Sequence, residues 1–230
     1  MSTYPGLPAT LFKFMDQLKR NNNRDWFNEN KERYYTDVAD PVCDFIEAMA
    51  PDLAAISDHY IADSRSHGGS MFRIYRDTRF SKDMKPYKEH VGCQFRHEAG
   101  KDAHAPGFYL HIAPKEVLFG GGIWVPPNAV LYKIREAIVE NPEQWKKIKQ
   151  GKSFRKRFGD IRGDGLIKAP RGFDAEHPHI EDLKRKTLFV MQEVTPGFAM
   201  SAGFIREVTA AFKSASPFME FLTKAIKLPY

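Results

Sequence analysis

The 230-residue chain has little cysteine, no long apolar run and no common phosphate-loop signature, and each absence removes a class of protein. Cys43 and Cys93 lie among apolar neighbours and form no C-x-x-C pair. They read as small buried hydrophobes rather than a disulfide, a metal pair or a nucleophile. No apolar stretch approaches the roughly 18 residues that cross a bilayer, so no membrane span or membrane partner is expected. The opening residues, Met-Ser-Thr-Tyr-Pro-Gly-Leu-Pro, have no basic segment running into an apolar one, which makes the cytoplasm the expected location. The glycine run Gly120-Gly121-Gly122 fits neither G-x-x-x-x-G-K-[ST] nor G-x-G-x-x-G, so no nucleotide fold is named. Internal repeats and low-complexity tracts are also missing.

What is present is an ordinary globular composition, 42% hydrophobic and 28% charged with a mean hydropathy of -0.50. The formal charge of +6 and pI of about 9.2 lean toward anionic partners but are modest beside those of dedicated nucleic-acid binders. Length and patterning are consistent with a single domain over residues 1–230. It divides into a helical N-terminal layer at about 10–50, a sheet core at about 70–120, and helices with a basic segment at about 127–230.

Helical periodicity starts with Thr10 as a cap for Leu11, Phe12, Phe14, Met15 and Leu18, and stops at Asn21-Asn22-Asn23. It resumes over 25–50, where Pro41 is expected to kink or split the helix. The polar residues 30–35 read as a solvated face, and Trp26-Phe27 reads as cover for the edge of a site. From residue 70 the pattern becomes strand-like, with strands expected at 71–75, 88–96, 108–113 and 116–119 and a later one at 188–194. The short links favour an antiparallel meander, because a parallel pair needs a crossover of a dozen or more residues. The fold class is therefore α+β, a central, largely antiparallel sheet packed with N-terminal and C-terminal helices.

Alternation along these strands puts Phe72, Ile74, Val91, Cys93, Phe95, Phe108, Leu110 and Ile112 on one face. Arg73, Tyr75, His90, Gln94, Arg96, Tyr109 and His111 fall on the other, a set of planar groups suited to hydrogen bonding. The triglycine interrupts the strand pattern, as a nest of amides or as a bulge against a helix. After it, Pro126-Pro127-Asn128 opens a helix with Leu131, Ile134, Ile138 and Val139 on its buried side, followed by a second at 143–149. Two further helices are expected at 202–212 and 217–226.

The densest chemistry lies in 69–88. Arg73, Arg76, Arg79, Lys82, Lys85 and Lys88 recur every three residues, with Asp77 and Asp83 among them and Phe72, Tyr75, Phe80 and Tyr87 interleaved. Pro86, the Gly68-Gly69 start and the Phe-Arg-Ile-Tyr run favour a strand running into a loop over a helix. The ligand-binding candidates are Arg73, Arg76, Arg79, Lys85, Tyr87, Arg96, Tyr109, Trp124 and Arg171, since guanidinium forks hold phosphate or carboxylate in paired hydrogen bonds. The acid/base candidates are Asp77, Asp83, His111, Asp174 and His177. His177-Pro178-His179 near Asp174 and Glu176 is not read as a metal site, because Pro178 fixes an extended spacing and no second ligand cluster is evident. No cofactor, oligomeric state or reaction is specified, and whether the protein is an enzyme stays open.

Three stretches carry a resemblance: Arg73 through Lys88, Pro106 to His111 with Gly120 to Trp124, and Ala169 to Asp174 with His177-Pro178. They resemble a mainly bacterial domain of unknown function of about this length, whose signature is R-x-x-R-D-x-R-F followed by an acidic residue, a lysine and a tyrosine. That pattern places lysine directly after the acidic residue, where this chain has Met84 after Asp83 and Lys85 next. The resemblance implies one full-length domain and brings no activity or catalytic residue with it. Two function classes follow from the residues themselves. One is a binding site, or an enzyme site, for a small phosphate- or carboxylate-bearing ligand. The other is nucleic-acid binding through the loop and the basic segment 152–186, with Tyr75, Tyr109 or Trp124 stacking on bases.

Overall fold

A computed structural model describes residues 4–79, 82–100 and 105–230. Phe80, one of the interleaved aromatics, lies outside the described residues. Helix α1 (Ala9–Arg20) is followed by α2 (Arg24–Glu29), α3 (Lys31–Tyr34), a π-helical turn (Tyr35–Ala39) and α4 (Asp40–Ala54). Thr10 does not cap α1. The helix begins one residue earlier, behind Pro8, whose fixed φ of -72 sets the chain direction without a side-chain bond. Asn23 caps α2 by accepting from the Trp26 amide at 2.9 Å. Pro41 splits the next segment as expected. It lies one residue into α4, and because it lacks an N–H the turn before it widens into the π geometry.

The sheet comprises β1 (Tyr60–Ile61), β2 (Val91–His97), β3 (Gly107–Ile112), β4 (Val117–Ile123) and β5 (Leu188–Val194). They stand in the order β1-β2-β3-β4-β5, and every neighbouring pair is antiparallel, as the short links predict. Between β4 and β5 run α5 (Asn128–Glu140), α6 (Pro142–Gln150), α7 (Lys152–Phe158) and α8 (Ile180–Leu183). After β5 come α9 (Pro196–Ala199) and α10 (Phe204–Ala225). The architecture is α+β, with a five-stranded antiparallel sheet covered on one face by helices.

That covered face is the one alternation assigns to the core. Cys93, Phe95, Phe108, Leu110, Ile112, Val117 and Phe119 are fully buried, and α10 lies across them. The Phe108 ring stacks on Phe212 at 4.7 Å and Phe119 meets Phe204 at 6.0 Å. Phe204 also meets Phe45 of α4 at 5.4 Å, so α10 joins the sheet to the N-terminal layer. Fully burying one such ring stabilises by about 1.5–3 kcal/mol relative to leaving it exposed.

Three local expectations need correction. The triglycine does not interrupt β4, which runs on to Ile123. A Cβ on Gly120 would collide with the Val190 carbonyl, so glycine is what lets β4 lie close against β5. The two C-terminal helices are one. The buried stripe from Phe204 to Leu222 continues on both sides of Pro217, and packing holds the helix through the lost backbone bond. Val139 faces outward, because the buried stripe of α5 follows Leu131, Ile134 and Ile138.

Candidate functional site

The stretch expected as one strand over 71–75 is two short bridged pieces. Met71 pairs with Cys93 on the edge of β2, and Tyr75 pairs with Tyr87. The break between them at Arg73 abolishes strict alternation, so Met71 and Ile74, three residues apart, are both buried. Phe72 then faces the uncovered side of the sheet, 6.3 Å from Tyr109. Arg73 and Tyr75 do not join Tyr109 and His111 as alternation predicts. They turn toward the N-terminal helices.

Beyond Tyr75 the chain forms a hairpin. The Arg76 amide donates to the Pro86 carbonyl at 2.9 Å and the Lys88 amide to the Ile74 carbonyl at 2.8 Å. Its base is Tyr87, 3% exposed, stacked on Phe27 at 4.1 Å and clasped by the Asn22 side chain through both backbone groups. Tyr87 is thus a core anchor rather than a ligand contact. Three of the stretch's cations meet nearby carboxylates, while Lys88 Nζ donates to the Arg73 carbonyl. Arg76 Nη1 donates to Asp83 Oδ2 at 2.8 Å, Arg79 grips both oxygens of Asp77 at 2.9 and 2.6 Å, and Lys85 Nζ donates to Glu89 Oε1 at 2.8 Å. The Arg79 hydrogen bonds hold the Asp77 carboxyl down at about 2, and those from Arg76 lower Asp83. Both aspartates are permanent anions serving arginines, which disfavours them as acid/base groups at neutral pH.

A different concavity opens between the N-terminal helices and the segment 66–75. A cleft of about 200 Å³ is lined by Phe27, Lys31, Tyr34, Tyr35 and Ala39 on the helical side, and by Ser66 to Gly68, Met71 and Arg73 to Tyr75 on the other. The π turn supplies Tyr35 and Ala39 directly, and such turns recur at functional sites. Gly68, with a φ of 76, lets the chain turn back over the opening. Four rings, Phe27, Tyr34, Tyr35 and Tyr75, share the lining with the exposed Lys31 and Arg73. Among the described residues neither side chain has a hydrogen bond or ion pair. Ser66 and His67 share a 3.1 Å hydrogen bond at the rim.

The sheet's uncovered face carries the remaining sheet candidates. His90 stacks on His111 at 4.4 Å, and His111 Nε2 lies 3.8 Å from Glu116 Oε1. Burial, and then the neighbouring His111, pushes the His90 imidazole down to about 4, and burial also lowers His111. Tyr109 is pushed up to about 12 by burial. Phe72 sits under Lys88 Nζ at 5.4 Å and the Arg96 guanidinium at 5.8 Å, and Arg96 also donates to Gln94 at 3.3 Å. At neutral pH this face offers neutral rings flanked by two cations already engaged with an aromatic.

The other candidates lie elsewhere. Trp124, 70% exposed, follows β4 and packs on Phe189 at 5.4 Å. Arg171, Asp174 and His177 belong to a loop tied to α5 through Phe173 and Tyr132 and to α6 through His179 and Pro142. Asp174 accepts from the Glu176 amide at 2.9 Å and His177 Nδ1 from the His179 amide at 3.1 Å, so both side chains stabilise their own turn. No contact among the described residues carries this pair to the sheet as acid/base partners. Among the described residues no group of three or more His, Cys, Asp or Glu is placed to hold a metal ion, and no helix is long and apolar enough to cross a membrane.

Lys31, Tyr34, Tyr35, Ser66 and His67 are cleft residues that pattern reading passed over; residues 30–35 are not simply a solvated face, because Tyr34 is buried against Phe14 and Phe27. The available signal was the recurrence of aromatic pairs at Trp26-Phe27 and Tyr34-Tyr35, more aromatic surface than a solvated face needs.

The family model for a conserved hypothetical protein, DUF2461, matches residues 10–221, and the chain belongs to that family. No curated protein and no solved structure matches the chain significantly.

Proposed function

We propose that the protein binds a small ligand combining a phosphate or carboxylate with a planar or apolar body, in the cleft between the π turn and residues 66–75. The observation that carries this reading is the pair of cations, Lys31 and Arg73, that line a cleft with four aromatic rings and have no side-chain hydrogen bond or ion pair among the described residues, Arg73 reaching Asp77 only through its longer-range field. An arginine there binds an anion in paired hydrogen bonds, while the rings of Phe27, Tyr34, Tyr35 and Tyr75 take up the apolar body. The hairpin beside it is the support: its own arginines are occupied by Asp77 and Asp83, and Tyr87 ties it to Phe27 in the cleft wall. This moves the anion site from the loop, where cation density suggested it, to Arg73 alone among the three arginines.

Thermal-shift screening of phosphate- and carboxylate-bearing metabolites tests the reading, because a ligand that binds only the folded state raises Tm with its occupancy. A hit should lose its shift in Arg73→Ala and in Lys31→Ala while the unliganded Tm stays near wild type. A hit whose shift survives both substitutions, or a screen without a hit, rejects the cleft as the site.

A further inference from the structure

The surplus positive charge of the protein is concentrated in one place. Residues 142–158, the corner made by α6, Gly151 and α7, hold seven lysines and arginines and one acidic residue, Glu143. That surplus of six equals the formal charge of the whole chain, so the remaining residues balance. Two of the seven turn inward. Lys149 Nζ bridges Asp182 at 2.9 Å and Asp160 at 3.2 Å, and Arg157 Nη1 donates to Glu207 at 2.6 Å. The other five, Lys146, Lys147, Lys152, Arg155 and Lys156, are exposed, and apart from a loose 3.8 Å pair of Lys146 with Glu143 they form no ion pair among the described residues, although Lys156 feels the Glu207 carboxylate at longer range.

Two concavities flank this corner. One of about 240 Å³ takes in Lys146 and Arg155, and one of about 550 Å³ takes in Lys147, Lys152 and Lys213 of α10. Six cations are thus presented by packed helices rather than by a loop. The rings of the same corner, Trp145, Phe154 and Phe158, are buried, and none of the exposed large apolar side chains lies on α6 or α7. A surface with charge and no exposed ring has nothing on which unpaired bases stack, and nothing to insert between lipid headgroups. It matches a regular array of phosphates on a stiff polyanion, read without sequence preference.

We propose that the α6–α7 corner binds the phosphate backbone of double-stranded nucleic acid. The surface is separate from the cleft at Arg73, and it draws only on the α7 end of the basic 152–186 segment, with none of the cations from the hairpin.

The test is fluorescence anisotropy with a labelled DNA duplex of about 20 base pairs, titrated at several salt concentrations, for which about four phosphate contacts give a log–log slope between about -3 and -5. Charge reversal of Lys147, Lys152 and Arg155 to Glu should weaken binding at least about tenfold, since several phosphate contacts are lost together. The neutral triple substitution to Gln should weaken it in the same direction and serves if the Glu variant fails to fold. Arg73→Ala should bind the duplex as wild type does. The proposal is overturned by no binding at low salt, by a single strand of the same length binding more tightly than the duplex, by anionic vesicles binding more tightly than the duplex, or by Arg73→Ala weakening binding as much as the triple variants.

Discussion

The two cation-rich stretches of the chain, 73–88 with six cations in 16 residues and 146–157 with seven in 12, have opposite arrangements. In the first, three of six cations are held by carboxylates within a few residues, Asp77, Asp83 and Glu89. In the second the acids close in sequence take up little of the charge: Glu143 makes only a loose 3.8 Å pair with Lys146, and Asp160 shares the inward-facing Lys149. The inward cations are met by distant partners, Asp182 and Glu207, and the rest face solvent. Cation density therefore says little about availability. The supply of local carboxylates decides whether a basic run neutralises itself or stays open to a partner.

The largest effect should come from the buried end of the second stretch. Asp182 is 2% exposed and its Oδ2 accepts from both Trp145 Nε1 and Lys149 Nζ at 2.9 Å. Its Oδ1 faces Arg185 Nε at 3.5 Å, and those two atoms have no hydrogen bond among the described residues. Asp182→Ala strands the buried Trp145 N–H and the part-buried Arg185 and Lys149 cations and should cost about 3–5 kcal/mol by chemical denaturation. A cost under about 1 kcal/mol would show that water already shares this network.

A smaller effect should come from His90, beside the first stretch. Its folded pKa of about 4 lies below the ordinary 6.5, so between those values the unfolded chain binds more protons than the folded one. Stability from this residue is full above about pH 6.5 and is lost as pH falls toward 4. His90→Gln should flatten Tm against pH in that window. Asp77 and Asp83 act lower: their depressed values give stability that is present above about pH 4 and lost as pH falls through their folded pKa values.

The smallest effects should separate the arginines. Arg79→Ala removes a pair whose side chains are 77% and 45% exposed, and it should leave both Tm and ligand response at wild-type levels. Arg73→Ala should also leave the unliganded Tm unchanged but abolish ligand-induced stabilisation. Equal ligand responses in the two variants would erase the distinction between occupied and open cations.

Much of the fold was legible locally. Alternation in Val91-Gly-Cys-Gln-Phe and Phe108-Tyr-Leu-His-Ile fixes which face of the sheet is buried, and the spacing of Leu131, Ile134 and Ile138 fixes the face of α5. The errors fall where long-range packing outweighs local preference. Gly120 reads as a break and serves as a close approach, and Pro217 reads as a start and is carried inside a helix by the core on either side.

The sequence alone determined the α+β class, the antiparallel order of the sheet and the inventory of cations, because periodicity and composition are properties of neighbours along the chain. Only the tertiary structure decided which cations are available. A side chain's partner is set by what folding brings within about 3 Å, and the break at Arg73 depends on a bridge to Cys93 some twenty residues away. That one displaced alternation takes Arg73 off the sheet face and into the aromatic cleft, while Arg76 and Arg79 stay with their aspartates.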